Sequence, residues 1–181
     1  MDAAGAGIPD VRIACAKQVR KLPEASMKRV LVPVDGSDDS LQAVREAIRL
    51  RNVSGATEVH LLNVQPRIFA EETMIGLPAD QIDSYYYERG GRALAPAEAL
   101  LKEAGLPFAS HRVVGPVVQS ILDKQRELDC DSILMSTQGH GRIAGALLGS
   151  VSAKVLQLAP VPVTLVKPPA GPDFTGRLGA T

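Results

Sequence analysis

Lys28-Arg29-Val30-Leu31-Val32-Pro33-Val34-Asp35-Gly36-Ser37 joins an unbroken apolar run to an acidic turn. Val30 to Val34 is too short for a helix and shows no polar alternation. That pattern reads as a strand buried on both faces, which occurs where helices cover both sides of a parallel sheet. The turn leads into a predicted helix over Asp38 to Val53, with Leu41, Val44, Ala47, Ile48 and Leu50 on its apolar side. Ser37 or Asp38 supplies its N-cap.

The same alternation continues downstream. Val59–Val64, Phe108–Val114, Ser132–Ser136 and Val161–Val166 read as further strands. Between them lie helical stretches through Tyr85-Tyr86-Tyr87 to Ala104, over Val117 to Leu128, and over Leu147 to Leu158. A long connection runs from Gln65 to Pro78, and Gly105 ends the second helix. Connections this long do not make hairpins, so the five strands predict a parallel sheet covered on both faces. Three successive tyrosines cannot share one helix face; core and rim packing is expected of them before a partner-facing patch.

Residues 1–26 have weak periodicity, and their basic residues follow the short apolar stretch, the wrong order for a secretory signal. A loose extension is expected there, with Met27 as an alternative start, the domain spanning 27–168 and a flexible tail over 169–181. Lys plus Arg and Asp plus Glu number 20 each, so the chain has no electrostatic footprint for nucleic acid or an acidic membrane. No stretch approaches the roughly 18 apolar residues that span a bilayer. Cys15 and Cys130 make no disulfide framework, and a cytoplasmic location is expected. His60, His111 and His140 show no metal-ligand spacing. Structural or solvent-facing roles are expected for His60 and His111.

Chemistry concentrates in Ser136-Thr137-Gln138-Gly139-His140-Gly141-Arg142-Ile143-Ala144-Gly145-Ala146-Leu147-Leu148-Gly149-Ser150-Val151-Ser152. Gly139 to Ala144 matches the dinucleotide fingerprint G-x-G-x-x-A, but in the wrong place. That fingerprint opens the first βαβ unit, with an acidic residue about 20 positions on; here the next acidic residue is Asp173, in the tail. A P-loop needs Lys and then Ser or Thr after its last glycine, and none stands there. No serine occupies the centre of a nucleophile elbow. What remains is Gly139, nine residues, then Gly149-Ser150. Glycines admit an anion close to backbone amides, and a helix N-terminus adds a favourable dipole, so the spacing suits a phosphate chain. A tight strand-to-helix bend is the plainer reading. Asp35 lies at the carboxyl end of the first strand, where open α/β sheets bind ligands if the first and fourth strands are neighbours. A carboxylate there accepts from ribose hydroxyls; alone, it also suits a turn or a helix cap.

These residues together resemble the universal stress protein family. The resemblance runs from Lys28 to Lys167, through Val30 to Ser37, Leu61-Leu62-Asn63-Val64, Gly115, Asp131-Ser132-Ile133-Leu134-Met135, Leu147-Leu148-Gly149-Ser150-Val151 and Pro160-Val161-Pro162-Val163. The ATP-binding branch looks like G-x-x-G, nine residues, then G-S/T. Gly139, Gly149 and Ser150 match it, Ser136 replaces its first glycine, and Gln138 stands where His is frequent.

The resemblance implies an open five-stranded parallel sheet in order 3-2-1-4-5, Rossmann-like and akin to the adenine nucleotide α-hydrolase type. It implies Asp35 at the ribose and Val34 and Val64 near adenine. Gly139, Gly149, Ser150 and Val151 would line the phosphates, with Pro33, Met135, Ser136, His140, Gly141 and Ser152 completing the site. The implied ligand is ATP, carried with Mg2+, or another adenine nucleotide, with no metal ligand from the chain. The expected role is a stress-responsive sensor or switch whose nucleotide stiffens the glycine segment and biases a surface for an unidentified regulatory protein. Hydrolysis is expected to be slow at most, because Asp35 is committed to the ribose. A homodimer through Pro162 to Val166 is also implied. The competing reading is a nucleotide-free regulatory dimer whose glycines only bend the chain.

Overall fold

Strands and helices alternate as β1 (Arg29–Pro33), α1 (Asp38–Ser54), β2 (Glu58–Gln65), α2 (Ala79–Glu103), β3 (Phe108–Val114), α3 (Val117–Glu127), β4 (Ser132–Ser136), α4 (Ser150–Leu158) and β5 (Val163–Val166). This is a computed structural model, and it describes residues 28–54, 58–67, 78–139 and 148–167. The N-terminal extension expected over 1–26, the tail expected over 169–181, Cys15, His140 and Gly141 lie outside the described residues.

The sheet has the order β3-β2-β1-β4-β5, and every pair is parallel. The expected architecture is therefore observed. The opening run is buried on both faces as its composition requires. Val30, Val32 and Val34 join Leu41, Val44, Leu94 and Leu101 of α1 and α2 in one apolar layer. Leu31 joins Leu62, Ile121, Ile133 and Val155 in the other, under α3 and α4. β1 runs between β2 and β4, so the chain winds outward to β3, returns beside β1 and winds outward again to β5. That reversal opens a crevice between the carboxyl ends of β1 and β4.

Local chemistry fixes the element ends. Ser37 caps α1: its Oγ accepts from the Ser40 N–H at 3.2 Å, and the Ser40 hydroxyl donates back to the Ser37 carbonyl at 2.8 Å. Gly105, at φ +61°, closes α2 in a Schellman motif, with Leu106 N–H donating to the Leu101 carbonyl at 2.9 Å. Asp129 takes the same left-handed position after α3, at φ 50°, and Cys130 N–H donates to the Gln125 carbonyl at 3.0 Å.

Two element starts differ from the sequence reading by more than one residue. α4 begins at Ser150 and not at Leu147, because Gly149 is extended (φ −70°, ψ 159°) and serves as the N-cap. β5 begins at Val163 and not at Val161; Pro160 and Pro162 lack the N–H groups a ladder needs. Among the described residues no helix is long and apolar enough to cross a membrane.

Candidate functional site

The turn after β1 aims a carboxylate across the sheet. Val34 N–H still bonds to the Leu62 carbonyl at 2.9 Å, extending the ladder one residue past Pro33. Gly36 then takes φ +90°, a conformation glycine adopts without strain, and a Cβ there would come within 3.2 Å of Ala93 of α2. Asp35 Oδ1 accepts from both the N–H and the hydroxyl of Ser37, at 3.0 and 2.5 Å. This Asx turn holds the side chain by one oxygen, with the other, Oδ2, toward Gly139. A Cβ at position 139 would overlap Oδ2, so only glycine admits the β4 loop this close to the carboxylate.

The opposite wall is the start of α4. Gly149 N–H donates to the Thr137 carbonyl at 2.7 Å, and Ala153 N–H donates to the Gly149 carbonyl at 3.0 Å. Gly149 brings no side chain to cap the helix, and no acidic residue occupies the first turn. The amides of Ser150, Val151 and Ser152 therefore form a helix end with positive partial charge and no internal acceptor. The buried Ser152 hydroxyl lies 3.0 and 3.2 Å from the Ser136 and Thr137 carbonyls, tying α4 to the end of β4. Ser136 is buried, and its Oγ accepts from the Gln138 N–H at 3.3 Å, which leaves the hydroxyl proton to donate.

Between these walls lies a cavity of about 310 Å³. Pro33, Val34, Asp35, Val64, Met135, Ser136, Gly139, Gly149, Ser150, Val151 and Ser152 all line it; of the expected residues, His140 and Gly141 lie outside the described ones. The volume falls at the lower end of the range for small-molecule sites. The sequence reading missed Ser40, Pro66, Val117, Ile121 and Gln138, which also line it. Val117 and Ile121 were recognisable as one face of a helix by their i, i+4 spacing. Only the topology shows that this face reaches the crevice.

Elsewhere the structure joins two residues that the sequence reading kept apart. His60 Nδ1 and His111 Nε2 are 3.2 Å apart across β2 and β3, with the rings tilted by 31°. No group of three or more potential metal ligands occurs among the described residues. Burial, then the charges of His60 and Lys124, hold the His111 imidazole below its ordinary value of 6.5, with Glu127 opposing. Cys130 is buried, and desolvation pushes its thiol up to about 11, consistent with a structural thiol. The three tyrosines divide as helix geometry demands: Tyr86 is buried, Tyr85 half-buried, and Tyr87 exposed under the Arg112 guanidinium, 4.1 Å from its ring centre.

A doubly wound sheet with a glycine-bordered crevice at its switch point belongs to the Rossmann-like α/β class. Within that class the chain belongs to the universal stress protein family, whose model matches residues 27–167. Universal stress protein MJ0531 of Methanocaldococcus jannaschii is 30% identical over 148 residues, covering 78% of this chain and 83% of that protein. The solved structure of MJ0577 shares the fold with a TM-score of 0.70, at 23% identity over 81% of this chain and 99% of that one. A universal stress protein crystallised in complex with cAMP has a TM-score of 0.57 at 29% identity, covering 77% of this chain and 96% of its own.

Proposed function

We propose that the chain binds ATP, carried with Mg2+, or another adenine nucleotide in the β1–β4 crevice and acts as a nucleotide-dependent regulator. One observation carries this reading. The Asp35 carboxylate, the backbone of Gly139 and the start of α4, whose N-cap Gly149 offers no side-chain acceptor, converge on a single cavity of about 310 Å³. Asp35 Oδ2 accepts from the ribose, Val34 and Val64 flank the base, and the amides of Ser150 and Val151 receive the phosphates. Ser136 in place of a glycine fits the site, since its hydroxyl has a proton left for a phosphate oxygen. The crystallisation of a similar universal stress protein with cAMP supports an adenine nucleotide as the ligand.

Turnover is slow at most on this reading, because Asp35 is the carboxylate in the cavity and its two oxygens are committed to the Ser37 turn and the ribose. The protein works as a homodimer through β5 in the cytoplasm, where the bound nucleotide orders the glycine segment and alters a surface read by a regulatory protein.

Isothermal titration of the full chain with Mg·ATP, AMP and cAMP tests the proposal. Saturable binding is expected with at least one of them, weakened about tenfold or more in Asp35→Ala. A folded protein that gives no heat at millimolar nucleotide overturns it and leaves the nucleotide-free regulator.

A further inference from the structure

Two amides stand in a layer that is otherwise apolar. Asn63 is 1% and Gln65 8% exposed, on the face of β2 that packs with Val59 and Leu61 beneath α2. Burying amides this completely is unfavourable unless each finds a partner. The Gln65 Nε2 donates to Asn63 Oδ1 at 2.7 Å, and Asn63 Nδ2 donates to the Val34 carbonyl at 2.8 Å. The order matters. Because Gln65 occupies the oxygen of Asn63, the nitrogen of that amide is the end that meets Val34.

α2 makes room for this relay. A Cβ on the buried Gly90 would come 3.3 Å from Asn63 Oδ1, closer than most side-chain contacts. A glycine inside a helix is unfavourable by about 1 kcal/mol relative to alanine, and here it stands over the amide.

From these contacts we infer that Asn63, oriented by Gln65, is a positioning residue that aims Asp35 into the nucleotide crevice; the inference rests on the nucleotide reading above. The Val34 N–H is already held by Leu62, and Asn63 holds its carbonyl. A peptide group is planar, so fixing the Val34 oxygen fixes the nitrogen and α-carbon of Asp35 as well. The Asx turn with Ser37 then leaves little freedom for the carboxylate, and Oδ2 meets the Gly139 backbone. Without the relay, the Val34–Asp35 peptide is free to rotate at the end of the strand, and Asp35 loses its aim.

Mg·ATP titration of the full chain tests this in a double-mutant cycle. Asn63→Leu/Gln65→Leu replaces both amides with apolar groups of similar size. It is expected to weaken binding about tenfold when Asp35 is present and less than about twofold in an Asp35→Ala background. Gln65→Leu alone keeps the Asn63 amide but releases its orientation, and is expected to give an intermediate loss even if the double variant does not fold. Unchanged affinity in the variants that fold, or the same loss with and without Asp35, overturns the inference while the nucleotide reading stands. Absence of binding by the unmodified chain overturns both.

Discussion

At Gly139 the absence of a side chain is a geometric requirement. Asp35 cannot simply swing aside for a new methyl group, because Ser37 holds its Oδ1 through two hydrogen bonds. Gly139→Ala must therefore break that turn or push the β4 loop outward. Either change moves the carboxylate relative to the α4 amides. Nucleotide affinity is expected to fall about tenfold or more, while the melting temperature moves only a few degrees, since the site lies on the surface of the core and not within it. Titration calorimetry and a thermal melt on the same sample separate the two effects. A matched loss of both would place Gly139 in the folding of the domain instead. Asp35, Gly139 and Gly149-Ser150 were legible as candidates because spacing and residue type single them out. Asn63 was not: an asparagine inside an apolar strand has no local signature, and its partner Val34 lies 29 residues away.

Between elements, the His60–His111 pair joins β2 and β3 under α3. One imidazole must donate and the other accept across their 3.2 Å separation, an arrangement lost when both are protonated. Glu58 Oε1 stands 3.4 Å from His60 Nε2, while Lys124 and Glu127 on α3 act on His111 with opposite signs. Burial is the largest influence on His111 and lowers its folded-state value below 6.5. The unfolded chain then binds more protons than the folded chain just below that value. Stability from this residue is full above the unfolded value and is lost as pH falls through the folded one. Urea midpoints are expected to drop between about pH 7.5 and about pH 5.5, and His111→Gln is expected to reduce that drop. Equal drops in both proteins would remove His111 as the source. The pairing itself was hidden in the sequence, because it follows from the register Leu62↔His111, which periodicity does not determine. Element types and order were legible, since the buried runs of β1, β2 and β4 and the helical spacings between them are strong signals. The starts of α4 and β5 were not, because they turn on the backbone of Gly149 and on two prolines.

Across the whole molecule the two sheet edges are unlike. β3 presents Ser110 and Arg112 outward, with Arg112 laid over Tyr87, and such polar and charged positions discourage strand addition. β5 reads Val-Thr-Leu-Val, without a charge, and all four residues are half-buried in the single chain. The Pro162 and Val166 carbonyls accept from the N–H groups of Ile133 in β4 and of Thr137 just past its end, each at 3.0 Å. By strand alternation the backbone groups of Val163 and Leu165 point to the open side, where no further strand lies among the described residues. Leu156 and Leu158 of the adjoining α4 are 47% and 54% exposed, extending the apolar surface beside that edge. In the proposed homodimer a second copy related by a two-fold axis would cover both features at once: its β5 would pair with the outward backbone groups, and its α4 leucines would bury these. Light scattering on the eluting protein is therefore expected to give twice the chain mass. Leu165→Pro deletes an outward N–H while leaving the β4 ladder its partners, and Leu158→Glu puts a charge on the exposed leucine face. Each is expected to shift the protein toward monomer, Leu158→Glu with an unchanged circular dichroism spectrum. A dimer that survives both substitutions would assign the contact to another surface, and a monomeric parent chain would show that β5 stays uncovered.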